Sequence, residues 1–157
     1  MAKLMFALVA ERVSVDQFSN ILDVHNVIEK LQVPEPPPEV LSKAREAKKP
    51  PGMPLRFALL LHWRRSSPSK PEGMVRQRVQ LFSPDGAVLS SAEMDFHLRQ
   101  WPYTRNLIWF NALPISGEGT YTFRVALKAG RQWRRAGETS YELSYQKPEA
   151  GRKVRLQ

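Results

Sequence analysis

LRFALLLHWRR, residues 55–65, decides how this chain folds. Leu55, Phe57, Leu59, Leu61 and Trp63 recur at every second position. Alternate residues of an extended strand share one face, so this stretch predicts a strand with a continuous apolar side turned inward. Arg64 and Arg65 follow as the first residues to reach solvent. The same Trp-Arg-Arg triplet returns in QWRR, residues 132–135, and Trp133 is expected to be a second inward residue capping the core.

The period of two persists outward from this strand. Residues 74–83 place Val75, Val79 and Leu81 on one parity, with Arg76, Arg78 and Phe82 on the other. Ser83-Pro84-Asp85-Gly86 is a strong turn and joins them to 87–98 as a hairpin. In that partner Val88, Ala92, Met94, Phe96 and Leu98 alternate with Ser91, Glu93, Asp95 and His97. Residues 105–113 predict a shorter strand carrying Leu107, Trp109 and Leu113 inward. Thr120–Lys128 alternates cleanly through Tyr121, Phe123, Val125 and Leu127. Ala129-Gly130-Arg131 then turns the chain into 132–145, where Gly137 marks a bulge. Upstream, 4–13 reads as a buried strand and 18–31 as another, its β-branched content outweighing a possible helical spacing. A Pro-rich insertion, 32–54, interrupts the pattern. It contains EVLSKAREAK, a short surface helix with Pro38 in its first turn.

About eight short strands with turns at regular spacing describe an all-β chain: a single antiparallel β-sandwich, Ig-like or C2-like, over residues 1–146. The remainder, 147–157, with Arg152, Lys153 and Arg155, reads as a flexible basic tail. No strand–helix alternation exists, which excludes a nucleotide-binding α/β fold.

The 157 residues include no cysteine, so a disulfide scaffold, a cysteine-ligated metal and a thiol nucleophile are excluded together. With 24 basic and 15 acidic residues the formal net charge is +9, which favours encounter with polyanions. Met1-Ala2-Lys3 before an apolar run has the outline of a secretory leader. The run is short, however, and Leu8 stands where cleavage after Ala10 would want a small residue. A cytoplasmic protein without membrane insertion is therefore expected.

Several stretches together carry a resemblance: the opening strand ending in Ala-Glu-Arg, N-I-L-D-V-H-N-V, L-R-F-A-L-L-L-H-W, S-P-D-G-A-V-L and G-E-G-T-Y-T-F-R-V-A-L-K-A-G. The chain resembles a family of small bacterial β-sandwich proteins, a domain of unknown function. The resemblance spans most of 1–145 and implies the fold. It assigns no catalytic residue. The 38–53 insertion and the basic tail depart from that family's compact pattern.

Three constellations could carry chemistry. Asp23-x-His25 and Asp95-x-His97 each put a carboxylate and an imidazole on one strand face. Were those strands neighbours, the four groups could ligate a metal. Arg64, Arg65, Arg131, Arg134 and Arg135, beside tryptophans, could hold a nucleic acid or another polyanion. Trp101-Pro102-Tyr103 sets two large aromatics in a loop with Arg105 just beyond. They either anchor an interface, where Trp, Tyr and Arg dominate, or plug one end of the sandwich. No nucleophile elbow, phosphate-cradling loop or carboxylate pair stands out, so no cofactor is expected. The sequence supports a non-enzymatic binding or assembly module. It would contact another protein, or itself, through sandwich edges and the Trp101–Tyr103 loop, with polyanion binding as the alternative.

Overall fold

Residues 55–63 lie within a strand, Gly52–Arg64, that is internal to a four-stranded sheet. Phe57, Leu59, Leu61 and Trp63 are all excluded from solvent, as the alternation requires. The computed structural model describes residues 1–67, 69 and 72–147. The expected tail from 148 onward, and Lys70, lie outside them. Over the described residues there are nine strands and one helix: β1 (Lys3–Val15), β2 (Leu22–Val27), β3 (Lys30–Val33), α1 (Pro38–Glu46), β4 (Gly52–Arg64), β5 (Glu72–Phe82), β6 (Val88–Leu98), β7 (Tyr103–Pro114), β8 (Gly119–Ala129) and β9 (Gln132–Tyr145). The first sheet has the order β2-β1-β4-β7 and the second β3-β9-β8-β5-β6, together a two-sheet sandwich.

The extra strand arises because 18–31 is not one strand. Asn20 and Asn26 adopt left-handed backbone with φ of 56° and 54°, a region that asparagine tolerates better than most residues. Residues 16–20 therefore turn, and β2 pairs back on β1. The Ile28 amide donates to the Val9 carbonyl at 2.7 Å, after which the chain crosses to the second sheet. There β3 pairs with β9 in parallel, the one exception to the expected antiparallel order among the described pairings. The Pro-rich excursion is correspondingly shorter than 32–54, since β3 takes its beginning and β4 its end. Pro38 does open α1, and the helix buries none of its residues.

The inner faces pack as aromatic layers. Trp63 stacks on Phe96 at 5.2 Å between centroids, Phe57 on Phe110 at 4.8 Å and Tyr121 on Tyr141 at 5.4 Å. Such pairs add about 0.5–1.5 kcal/mol each to the burial of their rings. The Tyr121 hydroxyl donates to the Gly117 carbonyl at 2.7 Å and accepts from the Ser116 amide at 2.8 Å, fixing the corner that leads into β8. At the bulge in β9, a Cβ on Gly137 would stand 2.9 Å from Leu4 Cδ2. Glycine there lets β1 and β9 close the side of the sandwich where the two sheets approach.

Three inward assignments are corrected. In β7 the pairing sets Ile108 opposite Leu59 and Phe110 opposite Phe57, so these two face the core. Leu107 and Trp109 face outward; the register shift between Pro54 and Phe57 allows Leu113 to be buried as well. Trp133 is not a core lid. It pairs with Lys128 on the outer face of the second sheet, with the Arg78 guanidinium 4.4 Å and the Lys128 ammonium 5.6 Å from its ring centroid. In β6 Phe96 and Leu98 are buried, but Val88 and Ala92 are exposed near the far end.

The reverse face of the first sheet is also covered. Ala58 and Leu60, on the opposite parity of β4, are as inaccessible as the core residues. They cluster with Ala10 and Val13 of β1, Leu22 and Val24 of β2, and Leu107 of β7. β1 leaves β4 after Ala10 opposite Ala58, and its remaining residues pair only with β2. In a flat sheet this hairpin would run away from His62. Instead it folds back across the outer face, and its turn reaches Arg105.

Candidate functional site

The fold-back creates a cleft of about 750 Å³ between the β1–β2 turn and the segment leading into β7. Val15 and Asn20 form one wall, Trp101, Pro102 and Tyr103 the other, with His62 and Arg105 between them. Volumes of a few hundred to a thousand Å³ are typical of ligand sites. Its walls come from three separate stretches of chain. Only Trp101, Tyr103 and Arg105 are legible in the sequence as a group.

Each wall is held in place. Arg105 Nη1 donates to the Asn20 carbonyl at 3.1 Å and to Asn20 Oδ1 at 3.3 Å, which clamps the hairpin to β7. Arg105 lies opposite His62 in the ladder, and Arg64 opposite Tyr103. The Arg65 amide donates to the Pro102 carbonyl at 2.9 Å, which ties the aromatic loop to the end of β4. The Arg64 guanidinium sits 5.7 Å from the Tyr103 ring centroid. His62 stacks on Phe6 at 4.9 Å with planes 6° apart, and tilts against Tyr103 at 5.4 Å. Burial lowers its pKa from the ordinary histidine value, and the Arg105 charge lowers it further. His62 is thus a neutral imidazole at pH 7, and its buried Nδ1 has no hydrogen-bond partner among the described residues.

The rim is apolar and exposed. Trp101 is 72% accessible and Tyr103 46%, so both aromatics face outward and do not plug the sandwich. Only Trp101 lies in a loop: β7 starts before the expected residue 105, and Tyr103 opens it opposite Arg64. Phe18, at the tip of the β1–β2 turn, is 101% accessible, and Val15 and Ile21 beside it are also exposed. The tip is nevertheless ordered by hydrogen bonds. Asp16 Oδ1 accepts from the Phe18 amide at 2.9 Å, the Ser19 amide at 2.7 Å and the Ser19 hydroxyl at 2.9 Å. Those bonds hold the Asp16 carboxyl below the usual carboxylate range, the Ser19 amide contributing most. No sequence motif marks Phe18, Asn20 or His62. An aromatic two residues after an Asp that can close a turn was the available signal for Phe18.

The two Trp-Arg-Arg triplets do share a pole. Arg64 lies opposite Lys3 at the start of β1, and Met1 and Ala2 line a second cleft with Leu127, Lys128 and Gly130 of the β8–β9 turn. Arg64 and Arg65 border the first sheet, whereas Arg131, Arg134 and Arg135 belong to the second. Arg135 is paired with Glu138, which also lies 3.7 Å from Arg124. The Asp-x-His pairs are not brought together. Asp23 and His25 sit on β2 in the first sheet, and Asp95 and His97 on β6 in the second. Asp95 instead makes a bidentate pair with Arg76, at 2.8 and 3.1 Å, which lowers its pKa. Among the described residues no group of three or more histidines and carboxylates could hold a metal. No described helix is long and apolar enough to cross a membrane.

No protein-family model matches the chain, and a search of curated proteins finds no match either.

Proposed function

We propose that this chain is a non-enzymatic binding or assembly module, acting in the cytoplasm, that makes protein–protein contacts through the cleft beside the Trp101–Tyr103 loop. The observation that carries this reading is the exposed pair Trp101 and Tyr103 on the rim of a 750 Å³ cleft, with Arg105 inside it. These three residue types dominate binding hot spots, and clustered exposed aromatics on one rim mark recognition surfaces. The groups on offer are aromatic faces, an anchored guanidinium and a neutral imidazole, which hold and orient a partner. Among the described residues β7 is the edge strand of its sheet, and it runs on from Trp101 and Pro102 to extend the surface along the sheet. We also read the scaffold as Ig-like and as a member of the bacterial sandwich family that the sequence resembles. The Tyr121 hydroxyl bond back to Gly117 supports the Ig-like part, because a tyrosine corner of this kind recurs in Ig domains.

The test is selection of binding peptides on the folded protein, followed by affinity measurement against Trp101→Ala and Tyr103→Ala. Both side chains are exposed, so the variants retain the fold. Hot-spot truncation costs about 2 kcal/mol or more, so each variant is expected to bind about 30-fold more weakly. Peptides that bind both variants as tightly as the parent would overturn the assignment.

Polyanion binding is the second reading, and the shared pole of Arg64, Arg65, Arg131 and Arg134 is the observation that favours it.

A further inference from the structure

The cleft specifies its occupant chemically. Trp101 and Tyr103 offer aromatic faces on the rim, and the His62 ring lies between Phe6 and Tyr103 on the floor. Arg64 stands over Tyr103 at the same edge, with Arg65 tied to the loop at Pro102. An aromatic ring carrying a nearby carboxylate satisfies all of these at once.

One segment of the chain displays that combination beside the cleft. The β1–β2 turn holds Phe18 wholly in solvent, and the carboxylate of Asp16 is two residues away. Among the described residues Asp16 Oδ1 takes all the hydrogen bonds to that side chain, and Oδ2 accepts none. The turn is pre-ordered by those bonds, so little conformational freedom is lost when it docks. It cannot enter its own cleft, because Asn20 is clamped by Arg105 and forms the cleft wall. A projection and a complementary recess side by side on one surface are what a two-fold interface requires, since each copy then fills the other. Charge agrees: Asp16 would meet Arg64 and Arg65, whereas juxtaposed basic poles alone would repel at +9 per chain.

We propose that the occupant of the cleft is the β1–β2 turn of a second copy of this chain, Phe18 entering between Trp101 and Tyr103 in an isologous dimer. This rests on the reading of the cleft as a protein-binding site and names the partner.

The test is sedimentation equilibrium of the full chain, with Phe18→Ala, Trp101→Ala and Tyr103→Ala, and circular dichroism to confirm that each is folded. The facing patches are small, so concentrations should reach about 500 μM. A reversible monomer–dimer equilibrium is expected, weakened tenfold or more by each variant. An equimolar mixture of Phe18→Ala with Trp101→Ala, or with Tyr103→Ala, should dimerise more strongly than either variant alone. In the mixed dimer one turn-in-cleft contact is intact and both defects fall on the other. A parent chain that stays monomeric throughout overturns the proposal, as does a mixture no better than its components, or dimerisation unaffected by Phe18→Ala. A monomeric parent whose selected peptides still depend on Trp101 would overturn the dimer alone and leave the binding module standing.

Discussion

His62 shows how one side chain changes meaning between strand and fold. In the alternation of 55–63 it is an outward polar residue; in the structure it is the floor of the cleft, pressed on Phe6. Its folded pKa lies below the unfolded histidine value of about 6.5. The folded state therefore binds fewer protons than the unfolded state in the window between those two values. His62 contributes its stability fully above about pH 6.5, and that contribution is lost as pH falls through the lowered folded value. The melting temperature is expected to decline from pH 7 toward pH 5, and His62→Phe, which preserves the stack, should flatten that decline. A thermal unfolding series across that range checks it; identical profiles would show that this imidazole is not responsible. Gly137 shows a similar dependence on surroundings. Its strand position predicted a bulge, but the close approach of Leu4 depends on a residue more than 130 positions away and is invisible locally.

At the scale of elements, the β1–β2 hairpin is the feature that the sequence least disclosed. Its residues alternate adequately for a strand, yet its position is set by Val13, Leu22 and Val24 packing over Ala58, Leu60 and Leu107. The three consecutive leucines 59–61 held a clue, since burial on both faces of a strand needs a cover on each side. Arg105 then fixes the turn through Asn20. Hydrogen bonds to a charged group contribute about 1.5–3 kcal/mol, less where solvent competes. Arg105→Ala should therefore raise amide hydrogen exchange in residues 13–24 by about tenfold while leaving β8 unchanged. Uniform acceleration across both sheets would mean that the clamp supports the whole fold and not the hairpin alone.

At the scale of the whole molecule, charge and layering are arranged on different principles. The strand ends that carry the two triplets lie at one end of the sandwich. Binding there to heparin or DNA would be read as a slope of log affinity against log salt of about −0.9 for each phosphate neutralised. Replacing Arg64, Arg65, Arg131 and Arg134 should reduce that slope, whereas Arg135→Ala, already engaged by Glu138, should change it little. No measurable affinity at low salt removes the polyanion reading. The two-sheet, all-β plan was legible because alternation and turn chemistry are local: a strand buries every second residue whatever lies beyond it, and Ser83-Pro84-Asp85-Gly86 turns wherever it is placed. The exposed-aromatic candidates Trp101 and Tyr103 were legible because two large aromatics flank Pro102, although only Trp101 lies outside regular pairing and Tyr103 opens β7 opposite Arg64. Which face of β7 is inward, where Trp133 lies and what surrounds His62 were decided by the tertiary structure. Each depends on register between distant strands, and a register step of one residue exchanges the two faces of a strand. The sequence by itself determined the elements and the residue types available for binding. Only the folding of one hairpin across the outer face of its own sheet assembled them into a cleft, because that contact is made by side chains that no local pattern joins.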